Sequence, residues 1–222
     1  MTKRVHIAIL AKAPIAGYAK TRLIPALGAY GAARLQRTFT RAAVRVAVEA
    51  DLGDVVLWCA PSRSYRFFRA LQRTTHIRCN DQPDGDLGER MLHAATAASF
   101  TDPKHAVLIM GTDCPGLNAH HLQTAADALG EFDAVFIPAE DGGYVLVGLR
   151  RPQPGLFAGM RWSTASVMDE TRHRAASLGL RICELPPLWD VDTPEDLMRI
   201  QSLEPSTNQP GKLTHDLFST AR

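Results

Sequence analysis

VHIAILAKAPIAGYAKTRL, residues 5–23, joins two kinds of chain. Its first half is a short apolar run rich in branched side chains, which predicts a buried parallel strand over 5–11. Its second half carries Pro14, Gly17 and the cations Lys12, Lys20 and Arg22, and reads as an irregular loop leaving the carboxyl end of that strand. Backbone N–H groups and cations after a strand are a usual way to hold phosphates. Two better-known phosphate loops are excluded. A Walker A loop needs Gly immediately before Lys-Ser/Thr, whereas Ala19 precedes Lys20-Thr21. A dinucleotide fingerprint needs three spaced glycines, and only Gly17 is present. The competing reading is a solvated loop whose cations bind nothing.

Outward from that stretch, strand-like and helix-like segments alternate. A helix is predicted over 30–50, with Leu35, Phe39, Ala42, Val46 and Ala50 on one side and Arg34, Arg37, Arg41 and Arg45 on the other, a solvated face. A strand over 54–60, a helix over 65–73, a short strand at 77–80, a helix over 87–98, a strand over 106–110 and a helix over 118–129 come next. The pattern then changes. Apolar runs at 133–139 and 144–149 are separated only by Glu-Asp-Gly-Gly, which suits a hairpin because Asp-Gly tolerates positive φ. A helix over 163–178, a strand over 180–185 and a helix from about 194 end the pattern. Alternating β and α with one antiparallel insertion implies a mixed, mostly parallel sheet with helices on both faces, an α/β fold. Such sheets bind ligands at the carboxyl ends of their strands. We expect one domain over 1–203 and a loosely attached tail over 204–222, polar and broken by Pro and Gly.

Composition narrows the function classes. With 222 residues the chain can bury a core without disulfides or a structural metal. Cys59, Cys79, Cys114 and Cys183 form no C-x-x-C pair, which argues against zinc and disulfide frameworks and for a reducing cytoplasm. No segment reads as a signal peptide or a membrane span. A net charge of +2 gives no case for nucleic-acid binding.

Acidic signals fall on predicted strand ends. Asp113, in GTDCPGL after the strand at 106–110, is placed to give Mg²⁺ a carboxylate, the alternative being a turn or N-cap Asp. Cys114 beside it reads as a structural thiol. In LWDVDTPEDL, Asp190 and Asp192 alternate with apolar residues and point the same way, as a second carboxylate source for a metal. Thr193 reads as N-cap and Pro194 as the first helical residue, so Asp192 has a helix-start alternative. In NDQPDGDLGERM, Asp86 and Glu89 read as a capping box, while Gln82, Gly85 and Gly88 offer an amide and open backbone to a base or an anion. Asp141 is either a turn residue or a substrate contact. Trp162, Ser163 and Thr164 open a helix, and His120 and His121 read as surface.

Taken in order, AKAPIAGYAKTRL, GDLGERM, GTDCPGL, DGGYVLVGL, FAGMRWST and WDVDTPEDL resemble a bacterial glycosyltransferase-A-like family of the nucleotide-diphospho-sugar transferase superfamily, often labelled arsenosugar-biosynthesis glycosyltransferase. The resemblance spans roughly residues 5–200 and implies a three-layer α/β/α sandwich. The AKTRL segment is also similar to 2-phospho-lactate guanylyltransferase. These resemblances imply that Lys20 and Arg22 contact nucleotide phosphates, that Asp113 holds Mg²⁺ or Mn²⁺ with Asp190 or Asp192, and that the loop of Gln82, Gly85, Leu87 and Gly88 lies near the base. The chain departs from many relatives in having a lone Asp113 rather than Asp-x-Asp, and no double glycine in the first loop.

Three functions are consistent with these residues. The first is glycosyl transfer from a nucleotide-sugar to a small-molecule acceptor, with Asp141 as base. The second is nucleotidyl transfer from a nucleoside triphosphate with release of pyrophosphate, which the cationic loop favours. The third is a non-catalytic nucleotide-binding protein, which the presence of Asp113, Asp190 and Asp192 disfavours.

Overall fold

The computed structural model describes residues 5–101 and 105–202. The expected tail over 204–222 lies outside the described residues. Strands β1 (Val5–Lys12), β2 (Val55–Ala60), β3 (Arg78–Asp81), β4 (Ala106–Met110), β5 (Ala134–Pro138), β6 (Tyr144–Leu149) and β7 (Ile182–Glu184) form one sheet in the order β3-β2-β1-β4-β6-β5-β7. Only β6 runs against its neighbours: it pairs antiparallel with β4 and β5, while β5 and β7 are parallel. The expected hairpin is present, but its second strand lies inside, between β4 and β5. The pairing of β5 with β6 slips at Ile137/Pro138, where proline has no N–H to give the ladder.

Helices α1 (Ile24–Glu49), α2 (Arg66–Thr75), α3 (Leu87–Thr101), α4 (Ala119–Ala128), α5 (Pro154–Phe157), α6 (Val167–Ser177) and α7 (Pro194–Ser202) cover both faces. Alternation along β1 sorts them. Ile7, Ile9 and Ala11 face Val44 of α1, Phe68 of α2 and Leu122 of α4 in one core layer. Ala8 faces the other way, into the layer of Met91 from α3, Phe157 from α5 and Met168 from α6. The result is the expected three-layer α/β/α sandwich with a mixed, mostly parallel sheet. Three segments differ from expectation. The first helix starts at Ile24 rather than 30, with non-helical geometry at Gly28 (φ 68°), and α5 was not anticipated. The helix expected from 163 starts at Val167.

A third, smaller apolar cluster ties together segments far apart in the chain. Leu23, Leu35, Phe39, Val191, Leu197 and Ile200 pack together, joining the loop after β1, the inner face of α1, the chain after β7, and α7. Leu23 lies three residues past Lys20, and Val191 lies between Asp190 and Asp192. The cluster therefore clamps the cationic loop against the acidic one. Leu23→Ala should cost about 2–4 kcal/mol in denaturant unfolding, as a buried Leu→Ala does, whereas Leu178→Ala, half exposed on α6's end, should cost under about 0.5 kcal/mol. Equal costs would mean that no clamp exists.

Candidate active site

Three loops meet at the carboxyl edge of the sheet. Lys20 follows β1, Asp113 follows β4, and Asp190 and Asp192 follow β7. The Lys20 ammonium lies 2.8 Å from Asp113 Oδ2 and 2.9 Å from Asp192 Oδ1, and donates to the Val191 carbonyl at 2.5 Å. Its three N–H donors therefore have three protein partners. The Lys20 side chain is 5% exposed, its two carboxylate partners 37% each. Burial pulls the Lys20 pKa down, but the charges and hydrogen bonds of Asp113 and Asp192 outweigh it and the net shift is upward, so the ammonium stays charged. Lys20 also sits in the left-handed region at φ 50°, a strained conformation that its surroundings over-determine.

A buried polar chain stands behind Asp113. Thr112 Oγ1 donates to Asp113 Oδ1 at 2.7 Å and accepts from Gln36 Nε2 at 3.1 Å. Gln36 also donates to Thr40 Oγ1 at 3.2 Å, and the Thr40 hydroxyl returns to the Gln36 carbonyl. Gln36, Thr40 and Thr112 are all buried, and this chain fixes which way the Asp113 carboxylate faces. Sequence reasoning passed over it. The signal was there: Gln36 and Thr40 interrupt the apolar face of α1 one turn apart, and a buried polar group needs a partner.

The sequence-derived residues separate into those that line one cavity of about 500 Å³ and those that do not. Lys12, Lys20, Arg22, Gln82, Leu87, Asp113, Asp190 and Asp192 line it. Lys20, expected on phosphates, is the counter-ion of two carboxylates. Lys12 is exposed at the end of β1, and Arg22 is two-thirds exposed and reaches Asp192 only at 3.5 Å. Gln82 spends both amide donors on strand-end carbonyls, Ala11 at 3.1 Å and Trp58 at 2.9 Å. Burial pushes the Asp190 carboxyl up to about 6, with the charges of Asp141, Asp192 and Asp113 adding to it.

Gly17, Gly85, Gly88 and Asp141 are not among the lining residues. Gly17 makes the loop's turn at φ 81°. Gly88 is a packing glycine: a Cβ there would lie 2.7 Å from the Trp162 ring and 3.0 Å from the Phe157 Cβ. Gly85 precedes the Asp86–Glu89 capping box, which forms with both reciprocal bonds. Asp141 makes the turn, its Oδ1 accepting from the Gly143 N–H at 3.0 Å. At α7 the Asp196 carboxylate takes the N–H groups of Asp192 and Thr193 and the Thr193 hydroxyl. Thr193 is thus a donor rather than the capping acceptor, and Asp192 is left to Lys20. Ser163, at φ 62°, lines the cavity ahead of α6, while Thr164 bonds the Arg161 carbonyl. His121 completes a capping box with Asn118. Burial raises the Cys114 thiol to about 11, leaving no thiolate for a nucleophile at neutral pH.

No group of three or more His, Cys, Asp or Glu converges to hold a metal among the described residues, and Asp113 was expected to act with either Asp190 or Asp192 rather than with both. Asp113 and Asp192 do converge on one positive centre. Two carboxylates suit a hard divalent ion that draws its remaining oxygens from phosphates and water, and Asp190 stands near them, its pKa raised by burial first and by the charges of the neighbouring carboxylates second.

A mixed sheet in this order, with its cavity on the carboxyl edge, defines a nucleotide-diphospho-sugar transferase fold. A protein of Desulfovibrio desulfuricans G20 with the provisional name nucleotide-diphospho-sugar transferase superposes with TM-score 0.85, at 29% identity over 97% of this chain and 94% of its own. The 4-diphosphocytidyl-2C-methyl-D-erythritol synthase of Anaerococcus prevotii DSM 20548 (TM-score 0.59, 12% identity, 91% of this chain and 98% of that one) shares the fold. So does the Rv0371c protein of Mycobacterium tuberculosis H37Rv, solved with manganese (TM-score 0.54, 16% identity, 90% and 100%). The chain belongs to the family described as "Uncharacterized protein conserved in bacteria (DUF2064)", which matches residues 33–164. No curated protein matches it. No described helix is long and apolar enough to cross a membrane.

Removing the Lys20 charge should expose what it balances. Lys20→Met leaves Asp113 and Asp192 without their shared counter-ion, at a stability loss of about 1–3 kcal/mol, since both partners are part exposed. Millimolar Mn²⁺ should recover more of the melting temperature in this variant than it adds to the wild type. Equal Mn²⁺ responses would remove the two carboxylates as a cation site.

Proposed function

We propose that the chain is a transferase acting on a nucleotide-activated substrate, by glycosyl transfer from a nucleotide-sugar to a small acceptor. The observation that carries this is Lys20 held between Asp113 and Asp192 at the mouth of the cavity. It concentrates two carboxylates where an activated phosphate would need a bridging cation. Asp113 and Asp192 fit as the residues that would hold Mg²⁺ or Mn²⁺, which supplies charge neutralisation to the leaving diphosphate when bound. The Mycobacterium tuberculosis neighbour solved with manganese supports that choice of ion.

This chain's residues divide the remaining work. Lys12 and Arg22 are the cations left to meet phosphate oxygens, because Lys20 has no free donor. Lys20 keeps two like charges side by side, and Thr112 with Gln36 orients one of them. Gln82 and Leu87 form the wall where a base would lie. Asp190, which lines the cavity outside the Lys20 set, is better placed toward an acceptor than Asp141, whose oxygen is spent on its turn.

The commitment of Lys20 also favours this reading over nucleotidyl transfer. A leaving pyrophosphate calls for more cationic support than a nucleoside diphosphate on a sugar, and the first loop offers two uncommitted or loosely held cations rather than three. The provisional name of the Desulfovibrio desulfuricans relative points the same way. The name of the Anaerococcus prevotii neighbour, a diphosphocytidyl synthase, keeps the alternative in view.

Incubation with Mg²⁺ and panels of nucleotide-sugars and nucleoside triphosphates should release a nucleoside diphosphate, and release of pyrophosphate would replace this reading with the alternative. Asp113→Asn should lower the turnover found by about a hundredfold or more with an unchanged circular-dichroism spectrum. Unchanged turnover would take Asp113 out of the chemistry.

A further inference from the structure

The cavity has a second wall that the nucleotide reading does not use. Arg90 on α3 and Tyr144 at the start of β6 both line it. Arg90 Nε and Tyr144 Oη are buried and have no hydrogen-bond partner among the described residues, and the indole N–H of Trp162, beside Tyr144, is in the same state. Arg90 and Tyr144 reach the same cavity from α3 and β6. The Trp162 ring stands edge-on to Tyr144 at 6.4 Å and closes over Gly88 at the start of α3.

All three orphaned atoms can donate. Arg90 makes no ion pair with any described residue, unlike Arg150, Arg172, Arg174 and Arg181, each of which has a carboxylate within 4 Å. Burial pushes the Tyr144 phenol upward, so the hydroxyl keeps its proton. Sealed donors without acceptors are rare in folded proteins, because each forfeits its water without replacement. A guanidinium and a hydroxyl waiting on one cavity wall match the acceptor oxygens of an anion, since the planar guanidinium fork fits carboxylate and phosphate.

We infer that Arg90 and Tyr144 form an anion subsite, and that the acceptor of the transferase is a small molecule carrying a carboxylate or a phosphate group. Assignment to the acceptor rests on the function proposed above; the existence of the subsite does not. The nucleotide's own phosphates already have Lys12, Arg22 and the Asp113–Asp192 pair. The anion held by α3 and β6 therefore belongs to a second substrate.

The test is isothermal titration of inorganic phosphate and, separately, malonate into the full chain, with Arg90→Met, Arg90→Lys, Tyr144→Phe and Arg22→Met beside the wild type. The stronger of the two anions identifies the acceptor's group. Arg90→Met should weaken its binding about tenfold, and Tyr144→Phe should weaken it several-fold. Arg90→Lys should recover part of the loss, and Arg22→Met should cost less affinity than Arg90→Met. Melting temperatures of Arg90→Met and Tyr144→Phe should hold or rise, because each removes an unpaired donor. The inference is overturned by wild type that binds neither anion, by loss in Arg22→Met equal to or greater than in Arg90→Met, or by Arg90→Met that melts lower with affinity unchanged. Nucleotide binding followed in the same proteins separates the two proposals. An Arg90-dependent anion site in a chain that binds no nucleotide would sink the transferase reading and leave the subsite standing.

Discussion

One ammonium group holds this edge of the molecule together. Lys20 reaches Asp192 and Val191, which lie 172 and 171 positions further along the chain, and Asp113 midway. At ~4 Å and an effective dielectric of about 20, each such contact is worth roughly 4 kcal/mol before desolvation. Two carboxylates brought together without it would repel on the same scale. The small cluster of Leu23, Phe39 and Val191 keeps water from the lysine stem and fixes the distance between the loops. Removing the apolar clamp would therefore weaken the electrostatics, and removing the charge would loosen the clamp. The strained backbone at Lys20 is the local cost of a contact that neither loop can make alone.

That coupling explains what the sequence could and could not reveal. Strands and helices were legible because their periods are local: β1 is apolar for most of its length, and α1 repeats its apolar face every three to four residues. The hairpin was legible from Glu-Asp-Gly-Gly. Its insertion between β4 and β5 was not, because strand order is decided by which faces pack rather than by any short motif. Lys20, Asp113 and Asp192 were legible as charges at strand ends. Their partnership was not, since a charge does not state its partner. Gly88 shows the opposite case. An open backbone next to a helix start looks like a ligand approach, yet the space above it is filled by Trp162, far along the chain. Gln36 and Thr40 were legible in principle, as polar residues on an apolar helix face.

The reversed direction of β6 has a consequence for the site. Because β6 alone runs antiparallel, its first residue rather than its last lies at the carboxyl edge of the sheet. That brings Tyr144, and the turn carrying Asp141, to the same rim as the loops after β1, β4 and β7. The mixed sheet thus supplies the cavity with a wall that a fully parallel one would have turned away.

The opposite edge tests whether this charge distribution is particular to the cavity. There Asp133 pairs with Arg150 and Arg181 and accepts the Arg181 N–H, and Asp54 pairs with Arg78 beside His6. These groups sit at the amino ends of β1, β2, β3, β5 and β7 and beyond the end of β6, and they neutralise one another. At the carboxyl edge the balance is broken on both sides: Asp190 is crowded by other carboxylates, while Lys12 and Arg90 have no carboxylate within reach among the described residues. Both edges are built from the same strands and carry charges of both signs. At the carboxyl edge the unmatched charges face a cavity, and such charge is what a ligand of mixed charge, an anion bridged by a cation, would complete.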